Sequence, residues 1–417
     1  MTRTQNANFR SLPILAILAV GACGRADEAP RKKGNNSATR GPTAPMTSRS
    51  RTPPPPRRNP GLRPAARHAP ATLAVVLSRG GSGRLGTFVG PGPRSRELQA
   101  RYGVRLAQEV HASAVSDGRA LFVVSTRGLV VAARVSDGGV LWSHSTRAGS
   151  MAAPGLGGGR LFVGDRTGRV WCFDAKTGAV RWIRKVVGAI RTAPLVHAGR
   201  VVVGTLAGRL LALDSATGAV RWELKQQRPF VGVAGSRDGS VVVVASFDRR
   251  VRLLEASTGR EVWTAMMTSS SHVAPVLTER SVFTLCASGE LIRLDRKTGQ
   301  QVWSRPALGF KSFPPTVAGG QIYVASRKRL LYALDVITGE TRWVKPLVDL
   351  PSAAPVFARD TLFLTTLGPR LLAIRADNGG HYVDHALPSR VVAEPLPLDD
   401  GLLLVDQRGI ATLYVKK

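Results

Sequence analysis

Acidic residues and cysteines are scarce in this chain, and each scarcity closes off a kind of chemistry. Across 417 residues there are 27 Asp and Glu against 59 Lys and Arg. No carboxylate cluster stands out of the sort a calcium site or paired acid–base catalysis requires. Of three cysteines, no two are adjacent. Cys172 and Cys286 occupy unlike local positions, so they read as small buried side chains and not as a disulfide framework. Long apolar runs are missing too. The run LPILAILAVGA (12–22) is, at about ten residues, too short to span a bilayer. His381 and His385 look like a ligand pair but flank a predicted strand segment, which sets them roughly 13 Å apart, too far to share an ion. No Ser/His/Asp constellation can be argued. Gly81, Gly83 and Gly86 have the spacing of a dinucleotide fingerprint, but TFVGPGP follows where that motif needs a helix. Neither cofactor nor metal is expected.

What is present begins with charge. Residues 1–101 carry 18 basic and 3 acidic groups, and the remainder is basic as well. This favours anionic partners, although arginine far outnumbers lysine and lineage composition is a second source of the excess. Arg3 and Arg10 precede the apolar run, which ends in Val20-Gly21-Ala22-Cys23. That ending resembles a bacterial lipobox, which implies lipidation at Cys23. An ordinary secretory signal containing a cysteine is the alternative. From Gly24 to about Arg96 the chain is rich in Pro, Ser and Arg and poor in aromatics. Such a stretch cannot bury enough apolar surface to offset ordering and reads as a disordered tether. Its basic charge suits an anionic leaflet, and a plain spacer is the other reading. The expected segments are a signal peptide at 1–22, a tether at 23–98 and a folded region at 99–417.

That folded region repeats. LLALDSATGAVRW ends at Trp222, and related stretches end at Trp142, Trp182, Trp263, Trp303 and Trp343, spaced 40, 40, 41, 40 and 40 residues apart. Each unit holds four short apolar runs split by turn residues, the pattern of four antiparallel strands. In Ala-x-Asp-x-x-Thr-Gly-x-x-x-Trp, Asp214 and Thr217 can bond turn amides and Gly218 can take φ > 0. Trp222 then fills the gap between neighbouring units. A strand-A marker falls twelve residues after each aromatic, at Pro154, Pro194, Ala234, Pro275, Pro315 and Pro355. The seventh unit has Arg375 for Asp and Val383 for Trp, and the first has Arg134 for Asp. The eighth has three strands and then ends. One step back from Trp142 lies Tyr102, so a strand near residues 99–108 should complete blade eight. The expectation is an all-β, eight-bladed propeller of four-stranded antiparallel blades, closed by an N-terminal strand.

The repeat resembles the tryptophan-docking repeat of quinoprotein-type (PQQ-like) propellers. Some of those are PQQ-dependent dehydrogenases with an adjacent Cys-Cys pair and a carboxylate-lined calcium site, and neither is seen here. Lipobox, tether and unelaborated ring together resemble the BamB family of outer-membrane assembly lipoproteins. That resemblance implies a non-enzymatic scaffold on the periplasmic face of the outer membrane. It would be a monomeric ring held by a lipid anchor, with the β-barrel insertase and unfolded outer-membrane proteins as partners and no nucleic acid. A generic interaction platform or ligand sensor of the same fold is the alternative.

Two faces are expected to differ in charge. The turns between strands B and C hold Arg127, Arg166, Arg169, Arg209, Arg249, Arg250, Arg327, Lys328, Arg329, Arg370 and Arg408, against Asp165, Asp248, Glu290 and Asp406. The C–D turns begin with Asp174, Asp214, Glu255, Asp295 and Asp335. The one extra residue is assigned to VVVVASFDRRVRLL, the B–C turn of blade 4, and insertions in repeats tend to mark the binding face. The B–C face is thus expected to meet an acidic partner, with solvated arginines that only keep the ring soluble as the alternative.

Overall fold

Strands B and C of every unit are almost uninterrupted apolar runs, which is how strands covered on both faces read. In the third unit, Arg200–Gly204 and Arg209–Asp214 are buried along nearly their whole length, whereas strand D, Val220–Lys225, alternates between exposed and covered positions. The computed structural model, which describes residues 87–88, 98–306, 308–309, 313–398 and 401–417, shows the reason. Eight sheets, each with strands A to D in order, form a closed ring. Apolar side chains gather in eight clusters, each between two consecutive blades, and the last joins blade 8 to blade 1. The ring has no single centre of packing. Its stability is a sum of blade-to-blade interfaces.

The A strands of successive blades approach one another, so they line the central channel. Most are two or three residues long, for instance Leu195–His197 and Val356–Ala358. A proline directly precedes several of them and supplies no amide to the ladder. Blade 4 has Ala234 instead, and its A strand extends to Phe230–Gly235.

Closure follows the expected route. Leu98–Arg105 pairs antiparallel with Ile410–Lys416, with Leu98 opposite Lys416 and Arg105 opposite Ile410, and supplies strand D of blade 8.

The extra residue is not where the sequence reading put it. In blade 3 strand B pairs with strand C from Arg200 opposite Asp214, and in blade 4 from Val241 opposite Glu255. The B–C hairpin is therefore the same length in both. The added residue lies in the A–B turn of blade 4, residues 236–240, on the opposite face. The misplacement arose because no glycine marks the B–C turn at Phe247–Arg249, so an unmarked turn read as a longer one.

Candidate interaction face

The aromatic positions fix how each blade presents its turns to the next. Trp142 donates its Nε1–H to the Ala175 carbonyl of the next blade at 2.9 Å, Trp182 to Ser215 at 3.2 Å and Trp222 to Ala256 at 2.9 Å. Trp263 and Trp343 do the same to Arg296 and Ala376 at 2.8 and 3.1 Å. Tyr102, from the closing strand, donates its hydroxyl to Val135 of blade 1 at 2.6 Å. Trp303 differs, since its Nε1 is buried without a partner. Each ring lies on the turn glycine of the following blade. A Cβ on Gly218 would come within 2.7 Å of Trp182, and one on Gly259 within 2.6 Å of Trp222. The glycine thus serves twice, at φ +71° and as the floor under the indole. Val383 has no such floor to meet, because in blade 8 the C–D turn is replaced by the two chain segments that close the ring.

The C–D carboxylates are consumed within their own turns. Asp214 accepts from the Ala216 and Thr217 amides at 3.0 and 2.9 Å and from Arg221 at 2.7 Å. Arg181 at 2.6 Å, with the Thr177 amide, holds Asp174 at a pKa of about 2. Arg260 and Arg342 pair with Glu255 and Asp335. Where Arg134 and Arg375 replace the aspartate, Asp137 and Asp377 restore the pair at 2.6 and 2.7 Å. Most C–D turns are thus internally balanced.

The B–C face is less balanced. At the end of strand B or directly after it lie Ser125, Asp165, Thr205, Ser246, Cys286, Ser326, Thr366 and Asp406, all buried. Several cap their turn. Asp165 accepts from the Thr167 and Arg169 amides at 2.8 and 2.9 Å and from the Trp171 indole at 3.0 Å. Asp165, which the sequence counts as a surface acid, is fully buried and pairs with none of the face's arginine side chains, whereas Asp406, also buried, pairs with Arg408. Among the cations of this face, Arg127, Arg209, Arg370 and Arg408 pair with Glu109, Glu223, Asp384 and Asp406. Lys328 is exposed. Arg166 and Arg169 on blade 2, Arg249 and Arg250 on blade 4, and Arg327 and Arg329 on blade 6 are exposed with no ion pair among the described residues. They form three patches on alternate blades and do not converge on one point.

Two of these arginines sit where the repeat has glycine. Gly128, Gly168, Gly208, Gly289 and Gly409 take φ between +70° and +88°, and Arg249 and Arg329 occupy the same turn position at +64° and +58°. A side chain in that region is strained, and such strain concentrates at functional sites. At Gly168 an added Cβ would lie 2.5 Å from the Gly188 carbonyl of the D–A loop. In blade 4 the loop residues Thr268, Ser269 and Ser270, with Arg228, Phe247, Asp248 and Arg249, line an open cavity of ≈ 570 Å³. The Phe247 ring meets His272 edge-on at 5.0 Å. Burial opposes ionisation of Asp248, but hydrogen bonds from Arg252 and Ser246 keep its carboxyl below the ordinary range. Its charge is thereby taken up by Arg252, 2.5 Å away. Arg228 and Arg249, both exposed and without an ion pair among the described residues, line the same cavity. Arg228, Phe247 and His272 escaped the sequence reading, although the exchange of glycine for arginine at 249 and 329 was visible in the repeat.

No His, Cys, Asp or Glu cluster able to hold a metal ion occurs among the described residues. Cys172 and Cys286, in blades 2 and 5, are each buried and free. Cys23 and the glycines at 81, 83 and 86 lie outside the described residues.

Ring, repeat and inter-blade aromatics together define a closed eight-bladed propeller of the PQQ-like type. The family profile of outer membrane protein assembly factor BamB matches residues 92–249 and 247–356. The chain belongs to that family. Among solved structures it is similar to BamB from Moraxella catarrhalis, with a TM-score of 0.66 and 19% identity over 77% of this chain and 98% of that one. It is also similar to the quinohemoprotein alcohol dehydrogenase of Comamonas testosteroni, with a TM-score of 0.69 and 14% identity over 81% and 80% of the two chains. The computationally designed protein Ika8 matches at a TM-score of 0.68 and 16% identity, over 77% of this chain and all of that one. No curated protein matches the sequence.

Proposed function

We propose that this chain is a non-enzymatic binding ring with a BamB-like role in the assembly of β-barrel outer-membrane proteins. In this reading it docks an acidic surface of a partner in that machinery through its B–C face. The observation that carries the docking face is the placement of Arg249 and Arg329 at left-handed positions, unpaired and, at Arg249, beside an open cavity. Folding alone favours glycine there. Guanidinium groups recognise carboxylates with directional, charge-assisted hydrogen bonds and steer encounter at low salt. Membership of the BamB family supports the setting, with a lipid anchor at Cys23 holding the ring to the periplasmic face of the outer membrane.

Two measurements test this. Changing Arg249 and Arg329 together to Gly should raise stability slightly, by about 1 kcal/mol in total once the extra freedom of the unfolded chain is counted. The same change should weaken co-purification with the barrel insertase at least tenfold. A variant that melts higher and still captures the partner as well as wild type would remove these arginines from the interface. Separately, Cys23→Ser should move the protein from the membrane to the soluble periplasmic fraction with loss of the acyl mass. A mature chain cleaved elsewhere, with Cys23 unmodified, would overturn the anchor.

A further inference from the structure

Thr87 and Phe88 form a short strand well upstream of the closing one. It pairs in parallel with strand A of blade 7, Thr87 level with Phe357 and Phe88 with Ala358. The other neighbour of that strand A is strand B, Thr361–Thr365. The added strand therefore lies on the edge facing the channel, near Thr316–Ala318 of blade 6. Channel edges of A strands carry backbone donors and acceptors that no blade satisfies, and such edges accept an extended chain.

Direction supplies an independent check. Strand A runs from the B–C face toward the C–D face, because the D–A loop precedes it and the A–B turn follows. Parallel pairing gives Thr87–Phe88 the same direction, toward the C–D face. The next strand begins at Leu98, opposite Lys416 at the end of strand C of blade 8, which is also the C–D face. Nine residues separate Phe88 from Leu98. A chain of nine residues can reach roughly 30 Å, which exceeds the about 19 Å of four inter-strand spacings, so the two described strands are compatible with one chain.

We propose that the central channel is a strand-accepting site whose resident occupant is the chain's own segment around Thr87–Phe88. Thr87–Phe88 runs from the B–C face toward the C–D face, and any other extended peptide must displace this segment to reach the channel edge of blade 7. This inference stands apart from the docking face, and neither depends on the other.

The test is a cross-link in the full-length protein. Under mild oxidation, Phe88→Cys combined with Ala358→Cys should form an intramolecular disulfide in most molecules. Phe88→Cys with His197→Cys, the matching position on strand A of blade 3, should form almost none. Equal trapping on both blades, or none on either, would overturn the proposal. A second readout guards against a poorly folded double variant. In otherwise native protein, deleting residues 24–90 should speed amide exchange at least tenfold in a peptide covering 356–359 while leaving one covering 195–198 unchanged. Equal exchange in both peptides with and without the deletion would overturn the proposal as well.

Discussion

Deletion of residues 1–108 should destabilise the ring by about 5 kcal/mol, roughly ten degrees in melting temperature for a domain of this size. The loss has three sources. The whole outer strand of blade 8, Leu98–Arg105, leaves its ladder with Ile410–Lys416 and exposes that edge. Tyr102 is withdrawn from the interface with blade 1, where its hydroxyl bonds Val135 and its ring meets the Gly138 turn. An aromatic side chain of this size contributes several kcal/mol when covered. Finally, the last blade-to-blade cluster, which joins Leu403, Leu413 and Ala411 to Leu121 and Val131, loses Leu106 and Ala107. Deleting residues 24–80 touches none of this and should leave the melting curve where it was. If the long deletion melts with the full-length protein, blade 8 is not closed by the N-terminal strand.

Much of this was legible in the sequence because a repeat reports its own geometry. Tyr102 stands one period before Trp142, and it lies against blade 1 as the tryptophans lie against their neighbours. Val383 read only as a departure. Its reason, the missing turn in blade 8, needed the topology. The extra residue of blade 4 was misassigned because strand length is not marked in the sequence when a turn lacks glycine, and only the pairing of Val241 with Glu255 fixes it. Charge was legible by face but not by availability. Spacing places Asp165 on the basic face, yet it is fully buried, and spacing does not show that Arg209 and Arg370 are paired while Arg249 and Arg329 are not. The strand at Thr87–Phe88 falls in a stretch read as tether. Two residues pairing with a distant edge leave no periodic trace.

Trp222→Ala should destabilise by about 3–5 kcal/mol, the range for removing a buried indole from a site that cannot collapse. Trp222 is only 8% exposed, donates to the Ala256 carbonyl at 2.9 Å and lies on Gly259. Size alone does not explain these positions, and two companion changes separate the causes. Trp222→Phe keeps much of the apolar ring but leaves the Ala256 carbonyl without its donor, so it should cost about 1–3 kcal/mol. Trp303→Phe should cost clearly less, because the Trp303 Nε1 already lacks a partner and the change removes an unsatisfied buried donor. Gly259→Ala addresses the other half of the contact. It places a Cβ 2.6 Å from the Trp222 ring at a φ of +75°, and about 2 kcal/mol of destabilisation is expected from strain and overlap together. In the double variant the overlap disappears with the ring, so the two effects should sum to more than the measured loss by at least 0.5 kcal/mol. Strict additivity in denaturant melts would mean that glycine and tryptophan act separately, and the pairing of each indole with the following blade's turn would fall with it.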